Sequence, residues 1–229
     1  MVDITRAAAE LIMRSNGWLS YMSEAFQTEA LSHARLIRFE PAKAIFRYGD
    51  PPGGIYGLVA GNLTINTAAP DSTPRLITLG TPGAWTGEGC FLTGQPRRAE
   101  LRALGEAWLF NIPLDALERM AARDPAMIRA IGVSVVYAVD VLIRIIHDLQ
   151  KRDASRRIAS VLQRVTMIGN SPIPLSQSDL GIMANASRQQ VNGAMQKFAA
   201  AGWLDYTYRS VVVSDPAALS KYAEGDGAD

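Results

Sequence analysis

Apolar and polar positions along the chain change texture three times. Ile4 to Met13 repeats its apolar residues at helical spacing and predicts a short amphipathic helix. From about Arg35 to Ile112 the apolar runs shorten to strand length, at Leu36–Phe39, Ala44–Tyr48, Ile55–Val59, Leu63–Asn66, Leu76–Leu79 and Ala107–Ile112. Between them stand GDPPGG at Gly49–Gly54, the Gly61-Asn62 pair and the Gly80/Gly83 turn, residues suited to special backbone angles. Many short strands at even spacing predict a small antiparallel barrel or roll.

Pro113 then opens a helix, and Asp124-Pro125 starts a much longer one. With Ile128 as position a, the a and d positions read Ile128, Ile131, Val135, Ala138, Leu142, Ile145 and Leu149, an unbroken apolar heptad. Such a seam either packs on its own roll or pairs with a second copy; its length and regularity favour a two-stranded coiled coil and a homodimer. Asp140 and Arg144 stand four apart on the outer face. After Lys151-Arg152-Asp153 a further helix, Ala154 to Met167, leads through Pro172 and Pro174 into the next segment.

That segment, SQSDLGIMANASRQQVNGAMQKF at Ser176–Phe198, predicts two short helices about a tight turn. Ser176 is a good N-cap, with Asp179 at capping-box spacing, and Leu180, Met183 and Ala184 form an apolar stripe. Gly181 leaves room for a crossing helix, and Asn185 tolerates a left-handed backbone. Ser187 caps again with Gln190 at the reciprocal position, and Val191, Ala194, Met195 and Phe198 make the buried face. Arg188, Gln189, Gln190, Asn192 and Gln196 are left outside, and Arg, Gln and Asn are the side chains able to grip guanine and adenine edges. The pair reads as a helix-turn-helix, although two capped helices also serve as plain scaffold. Gly202 ends the second helix, Trp203–Tyr208 and Ser210–Ser214 read as a hairpin about Arg209, and Asp215-Pro216 begins a last short helix.

Composition narrows the chemistry. Apolar content of 48% with 20% charged residues is ordinary for a soluble globular chain of 229 residues. The longest apolar stretch, Ile131–Val139, is cut by Asp140 and Arg144, too short for a bilayer span, and the N-terminus lacks a signal-peptide layout. The expectation is a cytoplasmic protein without a membrane partner. One cysteine, Cys90, and two distant histidines, His33 and His147, argue against an iron–sulfur cluster, a metal centre, a haem site and a serine–histidine–aspartate triad. The roll also lacks a carboxylate or metal-ligand cluster, so no enzyme is expected. Net charge is +1 but uneven: Lys151–Ala223 carries nine Lys or Arg against four Asp or Glu, a modestly basic part with a limited phosphate footprint.

Gly87–Leu101, GEGCFLTGQPRRAEL, is the second informative stretch. Gly87 and Gly89 let backbone amides approach a bound group, Arg97 and Arg98 follow a Gly-Gln-Pro turn and suit a phosphate, and Glu88 supplies an acceptor for a hydroxyl. Taken alone, a Gly-rich turn near two arginines is usually a solvated loop. Cys90 within it is either a redox sensor or, in the plainer reading, a small buried hydrophobe.

A roll, this cassette, a long helix and a winged helix-turn-helix, in that order, resemble the CRP/FNR family of bacterial transcription regulators. The resemblance runs from about Ile37 to Leu219 and is most specific at Gly87–Ala99 and Leu175–Val191. It implies an α+β fold: an N-terminal antiparallel β-roll (double-stranded β-helix, cupin-like), a long dimerisation helix and a C-terminal winged helix-turn-helix. The corresponding domains are 1–124, 125–152 and 153–229. It implies a homodimer on a two-fold-symmetric DNA operator, working with RNA polymerase, and cyclic AMP or cyclic GMP as effector. Gly87, Glu88, Gly89, Cys90, Arg97, Arg98, Leu142 and Ile143 then form the ligand site, with Glu88 on the ribose 2′-hydroxyl and Arg97 on the cyclic phosphate. Ser176, Gln177, Arg188, Gln189, Gln190 and Asn192 form the DNA site. Three departures stand out. Arg98 replaces a small or hydroxyl residue, Leu142 and Ile143 replace base-reading hydroxyls, and Gly89-Cys90 replaces one bulky apolar and one small residue. The alternative is a regulator of the same build that answers another anion, or none. Gln189 stands where cyclic-AMP-responsive members carry glutamate, and Gly193 where an arginine is usual, so the operator should differ from the familiar box. Arg188→Ala should cost about 1–3 kcal/mol at a single base step. Fluorescence anisotropy on operator and random duplex checks this, since an equal loss on both contradicts base reading.

Overall fold

Neighbouring residues of one strand feed two different cores, and this alternation builds the N-terminal half. The computed structural model describes residues 3–68, 74–166, 172–207 and 209–225. Two helices, α1 (Arg6–Ser15) and α2 (Glu24–His33), flank a 3-10 turn at Trp18–Tyr21. Strands β1 (Arg35–Phe39), β2 (Ala44–Phe46), β3 (Ile55–Ala60), β4 (Leu63–Thr67), β5 (Arg75–Gly80) and β6 (Trp85–Thr86) follow. Next come the short helix α3 (Glu88–Thr93), β7 (Ala99–Ala103) and β8 (Ala107–Ile112). They form two four-stranded sheets, ordered β1-β8-β3-β6 and β2-β7-β4-β5, with antiparallel pairing throughout β1–β8, β3–β8, β3–β6, β2–β7 and β4–β7. In β8, Leu109 packs with Phe46, Leu58, Leu63 and Leu101. Phe110 instead joins Leu19, Leu31, Ile55, Leu117, Met127 and Ile131, where helices cover the outer face.

Helix α4 (Leu114–Arg123) and the 25-residue helix α5 (Ala126–Gln150) follow. Then come α6 (Ala154–Val165), α7 (Gln177–Ala184), α8 (Arg188–Ala200), the hairpin β9 (Leu204–Tyr206) and β10 (Val211–Val213), and α9 (Pro216–Glu224). Ile173 bridges Val211 beside the hairpin. The chain divides into two compact units, Met1–Arg75 with Leu79–Asp140, and Val141–Asp229 with Leu76–Thr78.

The mixed α+β architecture, with its roll, long helix and helix-turn-helix, is the expected one. Several edges moved, for local reasons. Strand β2 stops at Phe46, and the loop after it takes a different course described below. The hairpin strands shorten to three residues each, while Met167 and Tyr208 lie outside the described residues. Sequence pattern missed α2, the two-residue β6 and β7; Ala-Glu-Leu-Arg-Ala in β7 hides its alternation among short side chains.

The turn between α7 and α8 forms as its residues dictate. Asn185 takes the left-handed conformation (φ 46°, ψ 53°), and a Cβ on Gly181 would come within 2.9 Å of the Ala186 carbonyl oxygen. Asn185→Gly should be near neutral in urea denaturation, whereas Asn185→Val should cost about 1–2 kcal/mol. Coincident unfolding curves for the two would contradict the strain assigned to this position.

Candidate functional site

The GDPPGG loop is wrapped around one buried cation. Arg97, 5% exposed, donates from Nη1 to the Gly87 carbonyl (3.2 Å) and from Nη2 to the Gly54 carbonyl (2.7 Å). Its guanidinium carbon lies 4.2 Å from the Phe46 ring centroid and 5.9 Å from that of Tyr56. The Gly49 amide donates to the Arg97 carbonyl (2.8 Å), and the Arg97 amide donates to that of Asp50 (2.9 Å). Side chains at Gly53 or Gly87 would strike the guanidinium, at 2.5 and 2.6 Å, so both positions need glycine to admit it. Two carbonyls take two of its five N–H donors.

Glu88 begins α3 immediately after Gly87, which is left-handed (φ 99°). Its Oε2 atom is buried and has no hydrogen-bond partner in the fold. Burial pushes the Glu88 carboxyl above the usual carboxylate range, against the lowering pull of its own amide, the Arg97 charge and the Gly87 amide. A buried acceptor without a donor is an opening for a ligand hydroxyl. Gly87, Glu88 and Arg97 are therefore brought together. Of the other residues expected within the cassette, Gly89 is exposed with nothing within 4 Å of a Cβ built on it, Cys90 is turned into the fold, and Arg98 stands in solvent. Leu142 and Ile143 are exposed and belong to the second unit. Sequence reasoning missed Phe46, Tyr56 and the carbonyl of Gly54; its one signal was the paired glycine at Gly53-Gly54, read only as a turn. Among the described residues no group of three His, Cys, Asp or Glu gathers as metal ligands.

On the second unit, Arg188, Gln189 and Gln190 are exposed at the start of α8 and Asn192 is half-buried, while Val191, Ala194, Met195 and Phe198 are buried. The Ser187 hydroxyl accepts from the Gln190 amide (3.3 Å), and Gln190 Oε1 accepts from the Ser187 amide (2.9 Å). This is the expected capping box; it commits the Gln190 oxygen to the helix end and leaves its NH2 group to donate outward. At α7 the Ser176 hydroxyl accepts from the Asp179 amide (3.1 Å) and donates to Asp179 Oδ2 (2.6 Å). Asp179 bonds the hydroxyl rather than the Ser176 amide; aspartate is one methylene shorter than the glutamate of a full box. Gln177, the first residue of α7, is half-buried.

Helix α5 requires a further correction. Ile131 and Ile145, expected on the seam, are 1% and 6% exposed and so are committed to the chain's own packing. The exposed large apolar positions are instead Ile128, Val136, Tyr137, Val139 (46%), Val141, Leu142, Ile143, Ile146 and Leu149. The helix is long and apolar enough, by length and composition, to cross a bilayer, longer than the run ending at Val139 implied. Yet Arg129, Asp140, Arg144 and His147 share one flank at about 3.6 residues per turn. A span facing lipid is apolar all round, whereas this helix has a stripe.

A sheltered carboxylate and arginine in a β-roll, followed by a helix-turn-helix with a wing, define a ligand-domain regulator of DNA. Residues 36–124 match the model of the cyclic nucleotide-binding domain, and residues 142–222 that of the Crp-like helix-turn-helix domain. The chain belongs to the CRP/FNR family and is a CRP-like transcription regulator. It is 25% identical over 195 residues to the CRP-like cAMP-activated global transcriptional regulator of Mycobacterium tuberculosis, covering 82% of this chain and 87% of that one. It is 22% identical over 205 residues to the CRP-like protein Clp of Xanthomonas campestris, covering 80% and 85%. Among solved structures, a cyclic nucleotide binding protein from Ruegeria pomeroyi superposes with a TM-score of 0.73 at 18% identity, covering 97% of this chain and 100% of that one. The c-di-GMP responsive regulator CLP of Xanthomonas campestris superposes with a TM-score of 0.64 at 22% identity, covering 83% and 99%.

The raised carboxyl of Glu88 carries a stability sign. Its folded pKa exceeds the unfolded one, so the folded state holds the extra proton and stability falls as pH rises between the two values. Glu88→Gln, which carries no charge to bury, should therefore melt above the native chain at pH 7. The gap should close as pH falls and vanish below the ordinary carboxylate range. Scanning calorimetry across pH 3–8 checks this; a pH-independent gap would contradict it.

Proposed function

We propose that this chain is a homodimeric, DNA-binding transcription regulator switched by a cyclic nucleotide, cyclic AMP or cyclic GMP, bound at Glu88 and Arg97. The observation that carries the ligand reading is the buried, unpartnered Oε2 of Glu88 beside an arginine with N–H donors to spare. A ribose hydroxyl supplies the missing donor, and the cyclic phosphate supplies the anion. The Mycobacterium tuberculosis relative described as cAMP-activated supports the same choice. In this reading residues 1–124 take the effector, 125–152 form the dimer helix and its turn, and 153–229 read DNA. The protein works in the cytoplasm with RNA polymerase and without catalysis. Leu142 and Ile143 stand in place of base-reading hydroxyls and cannot bond a base edge, so the two purines should be poorly distinguished.

The dimer seam runs through Ile128, Gly132, Val135, Val139, Leu142, Ile146 and Leu149. These positions alternate steps of four and three and avoid the buried Ile131 and Ile145. Ala138 is exposed but falls off that stripe. Arg188 takes guanine, Gln189 sets the adjoining preference, Gln190 and Asn192 donate, and Ser176 and Gln177 approach the phosphates. Half-sites lie about 34–36 Å apart.

A second reading keeps the fold and changes the effector. Arg97 is already held by two carbonyls and an aromatic face, and Arg98 adds a free cation where a hydroxyl residue is usual. One relative is c-di-GMP responsive. Calorimetric titration with cyclic AMP, cyclic GMP and c-di-GMP separates the readings. Because Arg97 holds the loop together, Glu88→Gln is the informative variant. The expected result is saturable binding of both mononucleotides, weakened about 10–100-fold by Glu88→Gln, as for a lost hydrogen bond to a charged group. Binding of c-di-GMP alone moves the conclusion to the second reading. Mononucleotide binding indifferent to Glu88→Gln overturns the site.

A further inference from the structure

We propose that Arg157 is a positioning residue that fixes the recognition helix to the turn at the end of the long helix, so that turn and reading head move as one body. The proposal rests on the DNA-binding reading of α7 and α8 and adds the part that aims them.

Arg157 lies in α6 and bonds four main-chain carbonyls. Nε donates to Ala184 (2.8 Å) and Nη2 to Asn185 (3.0 Å), while Nη1 donates to both Lys151 (2.8 Å) and Arg152 (3.0 Å). The first pair is the end of α7, two residues before the Ser187 cap that starts α8. The second pair is the turn that follows α5. Helix-end carbonyls have no partner within their own helix; here one planar guanidinium satisfies both groups and sets their separation.

The turn itself is held from both sides. Asp148, 6% exposed at the end of α5, accepts from Lys151 Nζ (2.7 Å) and from Arg164 of α6, and Lys151 Nζ also donates to Ser160 Oγ (2.6 Å). A second tie reaches the far half of α8. Lys197 Nζ donates to the Tyr222 hydroxyl (2.8 Å) and lies 4.4 Å from the ring centroid, and that hydroxyl donates to Asp153 Oδ2 (3.4 Å). Asp153 caps α6 at the same turn. The turn that leads into the recognition helix and the far half of that helix are thus both tied to residues 151–153, and what moves the end of α5 moves the reading head with it.

The test uses the full chain and an operator that the wild type selects from a random duplex pool. Affinity is measured for that operator, for the same operator with one base pair inserted between its half-sites, and for random duplex. Arg157→Lys keeps the charge but not the planar fork, and Tyr222→Phe keeps the ring and removes only the hydroxyl bridge. The expected result is that each variant binds the operator less tightly while the penalty for the inserted base pair shrinks, by about tenfold for Arg157→Lys, with random-duplex binding unchanged. A uniform loss on all three duplexes, as from simple destabilisation, overturns the proposal, and so does an undiminished insertion penalty. Failure of the wild type to select any duplex removes the DNA-binding reading first, and this proposal with it.

Discussion

Burial on helix α5 is divided between two arcs of its surface, and that division decides what the helix can offer a partner. One arc, with Met127 and Ile131 in the first unit and Ile145 in the second, is used up by the chain's own packing. An adjoining arc leaves Ile128, Val139, Leu142, Ile146 and Leu149 between 40 and 53% exposed. Contiguous apolar surface of this kind marks an interaction face. In the proposed dimer a second copy of the same helix covers it, because the stripe keeps heptad spacing for its whole length. The burial that fixes Ile131 and Ile145 therefore also decides which side chains remain for a partner.

Two arginines use the same device, one in each compact unit. Arg97 gathers the carbonyls of Gly54 and Gly87, and Arg157 gathers those of Lys151, Arg152, Ala184 and Asn185. Neither is neutralised by a bonded carboxylate; main-chain dipoles replace the water that each loses. A planar group with fixed donors sets distances between segments far apart in sequence, which a flexible ammonium does poorly. At the cassette this leaves donors for an anion and places Glu88, still lacking a partner, beside them. At the turn four of the five donors are taken by carbonyls, and the guanidinium acts as a fastening.

Legibility followed sequence distance. The helix-turn-helix was readable almost residue by residue, because the Ser187–Gln190 box, the left-handed Asn185 and the close approach at Gly181 all act within a few residues. The commitment of the Gln190 oxygen follows from that box, yet its consequence for base reading was missed. The roll was legible in outline, but β6 and β7 were too short or too small in side chain to show a pattern. The coordination of Arg97 was invisible, since its partners stand 43 and 10 residues away. The seam slipped by one residue at each d position because Ile131/Gly132, Ala138/Val139 and Ile145/Ile146 all permit either register. Only three-dimensional burial separates the two.

That register gives the most direct test of a dimeric regulator built on α5. Sedimentation equilibrium and operator retention would be measured together for Val139→Asp and Ala138→Asp, adjacent substitutions of equal charge. Val139→Asp is expected to sediment as a monomer and lose the operator, while Ala138→Asp remains a dimer that retains it. A dimer that survives Val139→Asp, or one broken only by Ala138→Asp, would contradict the arrangement of the helix on which the whole account stands.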